Sequence, residues 1–449
     1  MSKSTRLHTL CWVLFALWLL LQLPPFLHEP YAAGRSVDFL TYRRAADALL
    51  RGESPYLGRS ESLAIWRDFH ANDAAIRTAG SPEQRRALTA LLAQGPPQPG
   101  PYLYPPTLAA LVAALGVQPF AFACLLALAA FGYAWLWIRA SGAHPAWLLL
   151  VGLSWDVLQL TAGGNVELLL LGVSLLAAWL LWRGRWLGAA PLIALVALIK
   201  PFYALLFITF GLLLLARSDQ PAARTVRTLA AAATLALVLI GAEALRWDAP
   251  LRQAALDNQA GSLDRQWLAL PPAEQTPMSA WNRTPLQALI GVGVPTNVAV
   301  LLTLLLWAGL TGASMWRARQ HGLSFALAWA LALVLLYHGR PVGWTLGLLE
   351  VTVVAVLWPR LGRAGRAALL AGLVALILSH WAALVLTGLG AGMLLNTLQT
   401  PAFPWETLLV LPGCWLLLLW AVGQPPDRAI RPYAARSPAR PHRADRPSR

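Results

Sequence analysis

WLGAAPLIALVALIKPFYALLFITFGLLLLA, residues 186–216, decides how this chain folds. Two apolar runs, 186–199 and 202–216, flank a single lysine, and Pro201 follows it directly. Proline has no amide donor and its ring clashes with the preceding turn, so a helix breaks there. Of the 35 basic residues only Lys3 and Lys200 are lysines, and Lys3 stands in the N-terminal tail. A cation at membrane depth costs at least about 2.5–3.5 kcal/mol, so Lys200 marks a functional site by default. A broken helix at that depth is tolerated where it lines a cavity. The side chain is a compact ammonium on a flexible stem, suited to a phosphate treated as a point charge. The competing explanation is a lysine snorkelling to the interface from a short helical hairpin.

Composition sets the same class for the whole chain. Its 449 residues are 57% hydrophobic and 12% charged, with mean hydropathy +0.55, against about 25% charged in soluble domains. Apolar stretches long enough to cross a bilayer recur, which predicts an all-α polytopic membrane protein. The candidate segments are 10–26, 104–138, 145–160, 166–182, 186–199, 202–216, 228–245, 293–316, 323–337, 344–358, 367–389 and 403–422, giving about twelve transmembrane helices. Residues 10–26 also read as a signal peptide, with Ala32-Ala33-Gly34 as a weak cleavage site. The length of the run and Pro24-Pro25 at its end favour a retained first span. Cys11, Cys124 and Cys414 all lie in apolar segments, as small core residues do.

The net charge of +15 does not point to nucleic acid, because the excess sits in short loops and in the tail. Arg183 and Arg185, residues 217–227, Arg317 and Arg319, and residues 360–366 are assigned to the cytoplasm with both termini. The Pro- and Arg-rich tail 424–449 is expected to be disordered beside anionic lipid, leaving 1–423 as the membrane domain. Residues 28–103, 246–285 and 339–343 then face outward. Within this frame 186–216 is either one broken span or a hairpin with Lys200 at its outer tip, and 104–138 is one bent span or two. The hairpin keeps Arg139, Arg183 and Arg185 inside and is preferred.

The first outer loop, 28–103, is nearly neutral, with eight acids and nine arginines. It predicts short amphipathic helices on the outer face. One starts near Ser36, carries Val37, Leu40, Ala45 and Ala48 on one face, and ends at Gly52 and Pro55. A capping box with proline at the first helical position, Ser81-Pro82-Glu83-Gln84, opens another.

Several polar groups stand where they need a reason. Asp38 opens the first loop helix, close to the membrane surface. A carboxylate there suits a general base for a hydroxyl nucleophile, although an acid at a helix start is also favoured by the helix dipole alone. Asn165 and Glu167 interrupt an apolar region and open a span, and Asp156 is similar. Such groups are costly unless paired or wet, or serve as interhelical hydrogen bonds. His338 and Arg340 form an outer-mouth pair that suits phosphate or a sugar hydroxyl, or anchors the interface together with Trp344. Asn258-Gln259 and Trp281-Asn282-Arg283 offer amide and indole groups in the second outer loop. No phosphate-binding loop, dinucleotide fingerprint, zinc spacing or serine elbow is present, so nucleotide-driven chemistry and resident cofactors are not expected. A few carboxylates would suffice only for a weak divalent site.

A series of short motifs runs along the chain. Asp38-Phe39, Tyr42 and Ala45-Ala46 lead into Leu50-Arg51-Gly52 and Pro55-Tyr56. Tyr102-Leu103-Tyr104-Pro105-Pro106, Gly164-Asn165-Val166-Glu167-Leu168-Leu169-Leu170 and Leu198-Ile199-Lys200-Pro201 follow. This order resembles the glycosyltransferase family 87 membrane proteins, of the GT-C fold class, over roughly residues 1–310. The family usually shows Gly-Gln-x-Asn at the position of Gly164-Asn165-Val166-Glu167, and often a Trp-then-His pattern at that of Gly339-Arg340-Pro341-Val342-Gly343-Trp344. The resemblance implies a hexosyltransferase of the cytoplasmic (inner) membrane. It would move a mannose-type sugar from a polyprenyl-phosphate carrier to a glycan or glycolipid acceptor outside, with inversion. It implies Asp38 as base and Lys200 at the donor phosphate. His338 and Arg340 are further candidates for that phosphate by their chemistry, and Tyr42, Tyr56, Tyr104, Asn165, Glu167, Asn258 and Asn282 are candidates for binding substrate. A transporter or flippase of a lipid-linked sugar, or a non-catalytic assembly partner with this fold, would share the buried charges. The ordered loop carrying Asp38 separates them, because a transporter needs no general base.

Overall fold

The computed structural model describes residues 3–21, 37–56, 102, 104–114, 119–141, 146, 165–200, 202–215, 222–263, 289, 294–318, 357–358, 361–372 and 374. Among these, all regular structure is helical. The main helices are α1 (Lys3–Leu21), α2 (Val37–Leu50), α3 (Pro106–Ala114), α4 (Pro119–Ser141) and α5 (Glu167–Trp182). They continue with α6 (Trp186–Ile199), α7 (Phe202–Leu215), α8 (Ala222–Arg246), α9 (Ala249–Leu263) and α10 (Thr296–Ala318). One described helix, α8, is long and apolar enough to cross a membrane, and Arg6–Leu17, Cys124–Leu136, Leu169–Trp182, Trp186–Ile199, Tyr203–Leu215 and Asn297–Gly312 are shorter apolar helices. The expected segments 145–160, 323–337 and 403–422, most of 344–358 and 367–389, the second loop helix and the tail lie outside the described residues.

α5 is the hub, packing on α4, α6 and α7, and α8 lies along both α6 and α7. α1 touches α4, α10 touches α7, and the loop helix α2 packs on α3. The core runs from Phe15 and Leu19 through Phe122, Leu126 and Tyr133 to Leu170, Leu171 and Leu175, and on to Phe207 and Phe210. Small residues let the backbones approach. A methyl group at Gly172 of α5 would sit 3.4 Å from the Ala129 carbonyl oxygen of α4. One at Gly211 of α7 would come within 2.6 Å of Leu229 Cδ1 on α8. Small-residue contacts of this kind are what helices use when apolar burial is not available to drive association.

α8 and α10 are inverted relative to helices of a water-soluble bundle. On α8 the buried residues are Thr225, Thr228 and Ala232, whereas Leu237 is 69% and Leu245 86% exposed. On α10, Ala299, Thr303 and Thr311 are buried while Leu301, Leu302, Leu305 and Leu306 face outward. Thr209, Thr228 and Thr303 each donate to the carbonyl four residues back, which satisfies their hydroxyls inside an apolar helix.

Two expectations are refined. The region 104–138 is two helices, α3 and α4. Among the described side chains of α2, Phe39, Thr41, Tyr42, Ala45, Ala46 and Ala48 are buried, so the two aromatic rings join the expected Ala45 and Ala48. Residues 246–285 also contain a helix, α9, where a loop was expected. Asp248 caps it, its Oδ1 accepting the Leu251 amide at 2.9 Å, and Pro250 stands in the first turn.

Candidate functional site

The site is made by a helical hairpin with arms of nearly equal length. α5 ends in a Schellman motif: Gly184 adopts φ +71°, its amide donates to the Leu181 carbonyl, and the Arg185 amide reaches the Leu180 carbonyl at 2.9 Å. The chain returns at once as α6. Sixteen residues lead down and fourteen lead back, so the start of α5 and the end of α6 lie side by side. At the start, Asn165 Oδ1 accepts the Glu167 amide at 2.8 Å. Glu167 then stands in the first turn, where the helix dipole favours a carboxylate. At the end, Lys200 leaves the helix with φ −134° and ψ 100°, the extended geometry a following proline imposes. α7 restarts immediately, the Tyr203 amide donating to the Lys200 carbonyl at 3.0 Å.

This geometry joins Lys200 to Glu167. The Lys200 ammonium donates to Glu167 Oε2, and the Tyr203 hydroxyl donates to Oε1. The Glu167 side chain is 2% exposed and that of Lys200 18%. Lys200 is therefore half of a largely buried ion pair. A phosphate arriving at the ammonium must share it with a carboxylate already in place.

Tyrosines form the wall beside the pair. The Lys200 ammonium lies 5.5 Å from the centre of the Tyr104 ring, within cation–π range. Tyr42 meets that ring edge-on at 5.1 Å and donates its hydroxyl to the Tyr104 hydroxyl at 3.1 Å. The same Tyr42 oxygen accepts the Val166 amide at 3.3 Å, tying α2 to the mouth of α5. The Tyr56 hydroxyl donates to the Tyr104 carbonyl at 2.9 Å. Tyr102 donates to the Pro105 carbonyl at 2.6 Å and accepts the Ala109 amide at 2.9 Å, holding the segment that leads into α3. Burial raises the Tyr102 phenol well above its ordinary value, and the Glu243 carboxylate acts in the same direction. Tyr42 and Tyr102 are buried, while Tyr56 and Tyr104 are half-exposed.

A second carboxylate borders this wall. Glu243, near the end of α8, accepts a hydrogen bond from the Thr107 hydroxyl, three residues past Tyr104. Both residues are half-exposed.

Six residues expected from sequence thus converge: Lys200, Glu167, Asn165, Tyr42, Tyr56 and Tyr104. Asp38 is the second residue of α2 and precedes Tyr42 by one helical turn. Asn258 falls on α9. His338, Arg340, Asn282 and Asp156 lie outside the described residues. Tyr203, Thr107 and Glu243 were not anticipated. Glu243 carries the same signal as Lys200, a charge inside an apolar segment, and that rule applied evenly would have found it. Among the described residues, no group of three or more His, Cys, Asp or Glu could hold a metal ion. Comparisons with protein-family models, curated proteins and solved structures find no match.

Proposed function

We propose that this chain is an integral-membrane, inverting glycosyltransferase with a GT-C-like arrangement of about twelve spans. It takes a mannose-type sugar from a polyprenyl-phosphate carrier to an acceptor hydroxyl on the outer side of the cytoplasmic membrane. The observation that carries the reading is the convergence at one end of the helical hairpin. There the Lys200–Glu167 pair meets Tyr42 of the loop helix whose second residue is Asp38. The order of motifs resembling glycosyltransferase family 87 supports the same reaction class. The outward-facing leucines of α8 and α10 support the lipid setting.

In the proposed reaction Asp38 accepts the proton of the acceptor hydroxyl. The freed oxygen attacks the anomeric carbon as the bond to the carrier phosphate oxygen breaks, and the polyprenyl phosphate leaves as an anion. Lys200 stabilises that developing charge in a site shielded from water. Glu167 and Tyr203 hold the ammonium in place beforehand, so little reorganisation accompanies the step. Purified protein in nanodiscs, given mannosyl-phosphoryl-polyprenol and a glycolipid acceptor, should release polyprenyl phosphate and form product of inverted anomeric configuration. Movement of the intact donor between leaflets with no bond cleavage would replace this reading with a flippase.

A further inference from the structure

We infer that Glu243, held by Thr107, is a hydroxyl-recognition group at the mouth of the site and binds the sugar ring of a neutral glycoside. The inference rests on the glycosyltransferase reading for the choice of a sugar as the polyol. The placement itself comes from helix geometry. Arg224, near the start of α8, lies against Gly184 at the closed end of the hairpin. From Arg224 to Glu243 the helix climbs about 28 Å, while α6 climbs about 20 Å from Trp186 to Ile199. Glu243 therefore stands at the Lys200 end, about 8 Å further along. Its contact with Thr107 attaches it to the segment whose Tyr104 ring faces the Lys200 ammonium.

The chemistry of the two carboxylates differs. Glu167 is buried and spent on Lys200 and Tyr203. Glu243 is half-exposed, and among the described residues no basic side chain forms an ion pair with it. A carboxylate has about four lone-pair directions, and the Thr107 hydroxyl occupies one. The charge repels a phosphate and attracts hydroxyl donors, so the group suits the sugar rather than the carrier. Tyr56, half-exposed and bonded to the Tyr104 carbonyl three residues before Thr107, is available as an aromatic face for the apolar side of a sugar ring. Thr107 fixes the carboxylate rotamer, which spares the substrate that ordering.

The test titrates the full chain in nanodiscs with methyl α-D-mannopyranoside and, separately, with undecaprenyl phosphate. Glu243→Gln keeps the shape and the Thr107 contact but removes the charge. It should weaken glycoside binding at least about tenfold, the scale of losing hydrogen bonds to a charged acceptor, and leave undecaprenyl phosphate binding unchanged. Thr107→Val should weaken glycoside binding by a smaller factor. The paired variant Lys200→Met/Glu167→Gln should show the opposite pattern. Glycoside affinity unaltered in Glu243→Gln, or no glycoside binding by the unaltered protein, overturns the inference while leaving the transferase reading to its own assay. Loss of glycoside binding in Glu243→Gln by a protein that transfers no sugar keeps this site and removes the transferase reading.

Discussion

Replacing Lys200 by methionine tests whether the buried pair governs the site. On sequence alone an apolar residue here should relieve a costly membrane charge. The partner reverses that sign. Methionine leaves the Glu167 carboxylate 98% covered, with only the Tyr203 hydroxyl and the helix dipole to compensate. Removing one member of a buried pair costs about 3–5 kcal/mol. Glu167→Gln leaves Lys200 less covered and should cost somewhat less. The double variant Lys200→Met/Glu167→Gln buries no charge and should recover most of the loss, since neutral replacement of a buried pair is often close to neutral in stability. The four proteins form a double-mutant cycle, read by reversible unfolding in mixed micelles. Because the double variant loses far less than the sum of the singles, the coupling energy should be at least about 3 kcal/mol, the upper end for residues in direct contact. Additive single effects, within about 0.5 kcal/mol, would refute the pairing as a stabilising unit. On the proposed function, transfer activity should fall in both Lys200→Met and the double variant, which would separate the ammonium's part in the reaction from its structural one.

Other expectations follow from the same geometry. Asp38→Asn should lower transfer about 10²–10⁴-fold with donor affinity retained, and full turnover in single-turnover assays would remove it as base. Cysteine at Ser54 should react with an impermeant maleimide in intact cells while cysteine at Arg185 should not. Arg185 is preferred to Gly184, whose φ of +71° disfavours any side chain. Labelling at 185 from outside would invert the topology and the site with it. Gly211→Leu should separate α7 from α8 and cost about 1–3 kcal/mol in micellar unfolding. An unchanged midpoint would mean that this close approach is not a stabilising contact.

Much of the helix layout was legible in the chain, because apolar runs end at residues with a physical reason to end them. Pro201 forces Lys200 out of its helix, Gly184 supplies the left-handed turn between α5 and α6, and Gly52 with Pro55 follows α2. Pairing was not legible in the same way. Glu167 and Lys200 were each recognised as costly, yet as separate problems. Counting the arms on either side of Arg183-Gly184-Arg185 would have joined them. Tyr203 was hidden because a tyrosine in an apolar helix looks like core until its hydroxyl is seen to find a carboxylate. Of the face expected on α2, Ala45 and Ala48 are buried, and spacing alone gave no sign that Phe39 and Tyr42 are buried with them. The helix after Asp248 was overlooked because its composition is polar, although its cap was present.

The hairpin has a consequence for biosynthesis. Glu167 and Lys200 are 33 residues apart, and everything needed to join them lies between them. At about 5–20 residues per second, that interval emerges from a ribosome in about 2–7 seconds. In the proposed membrane setting the two arms can enter the bilayer as one unit with their opposite charges already cancelled, so neither helix crosses carrying a bare ion. Tyr203 arrives three residues later to complete the cluster. A loop with one residue added between Arg183 and Arg185 would turn the returning arm by about 100° and, in that setting, leave both charges to meet lipid separately. Such a chain should be caught by membrane quality control during synthesis, before any question of catalysis arises.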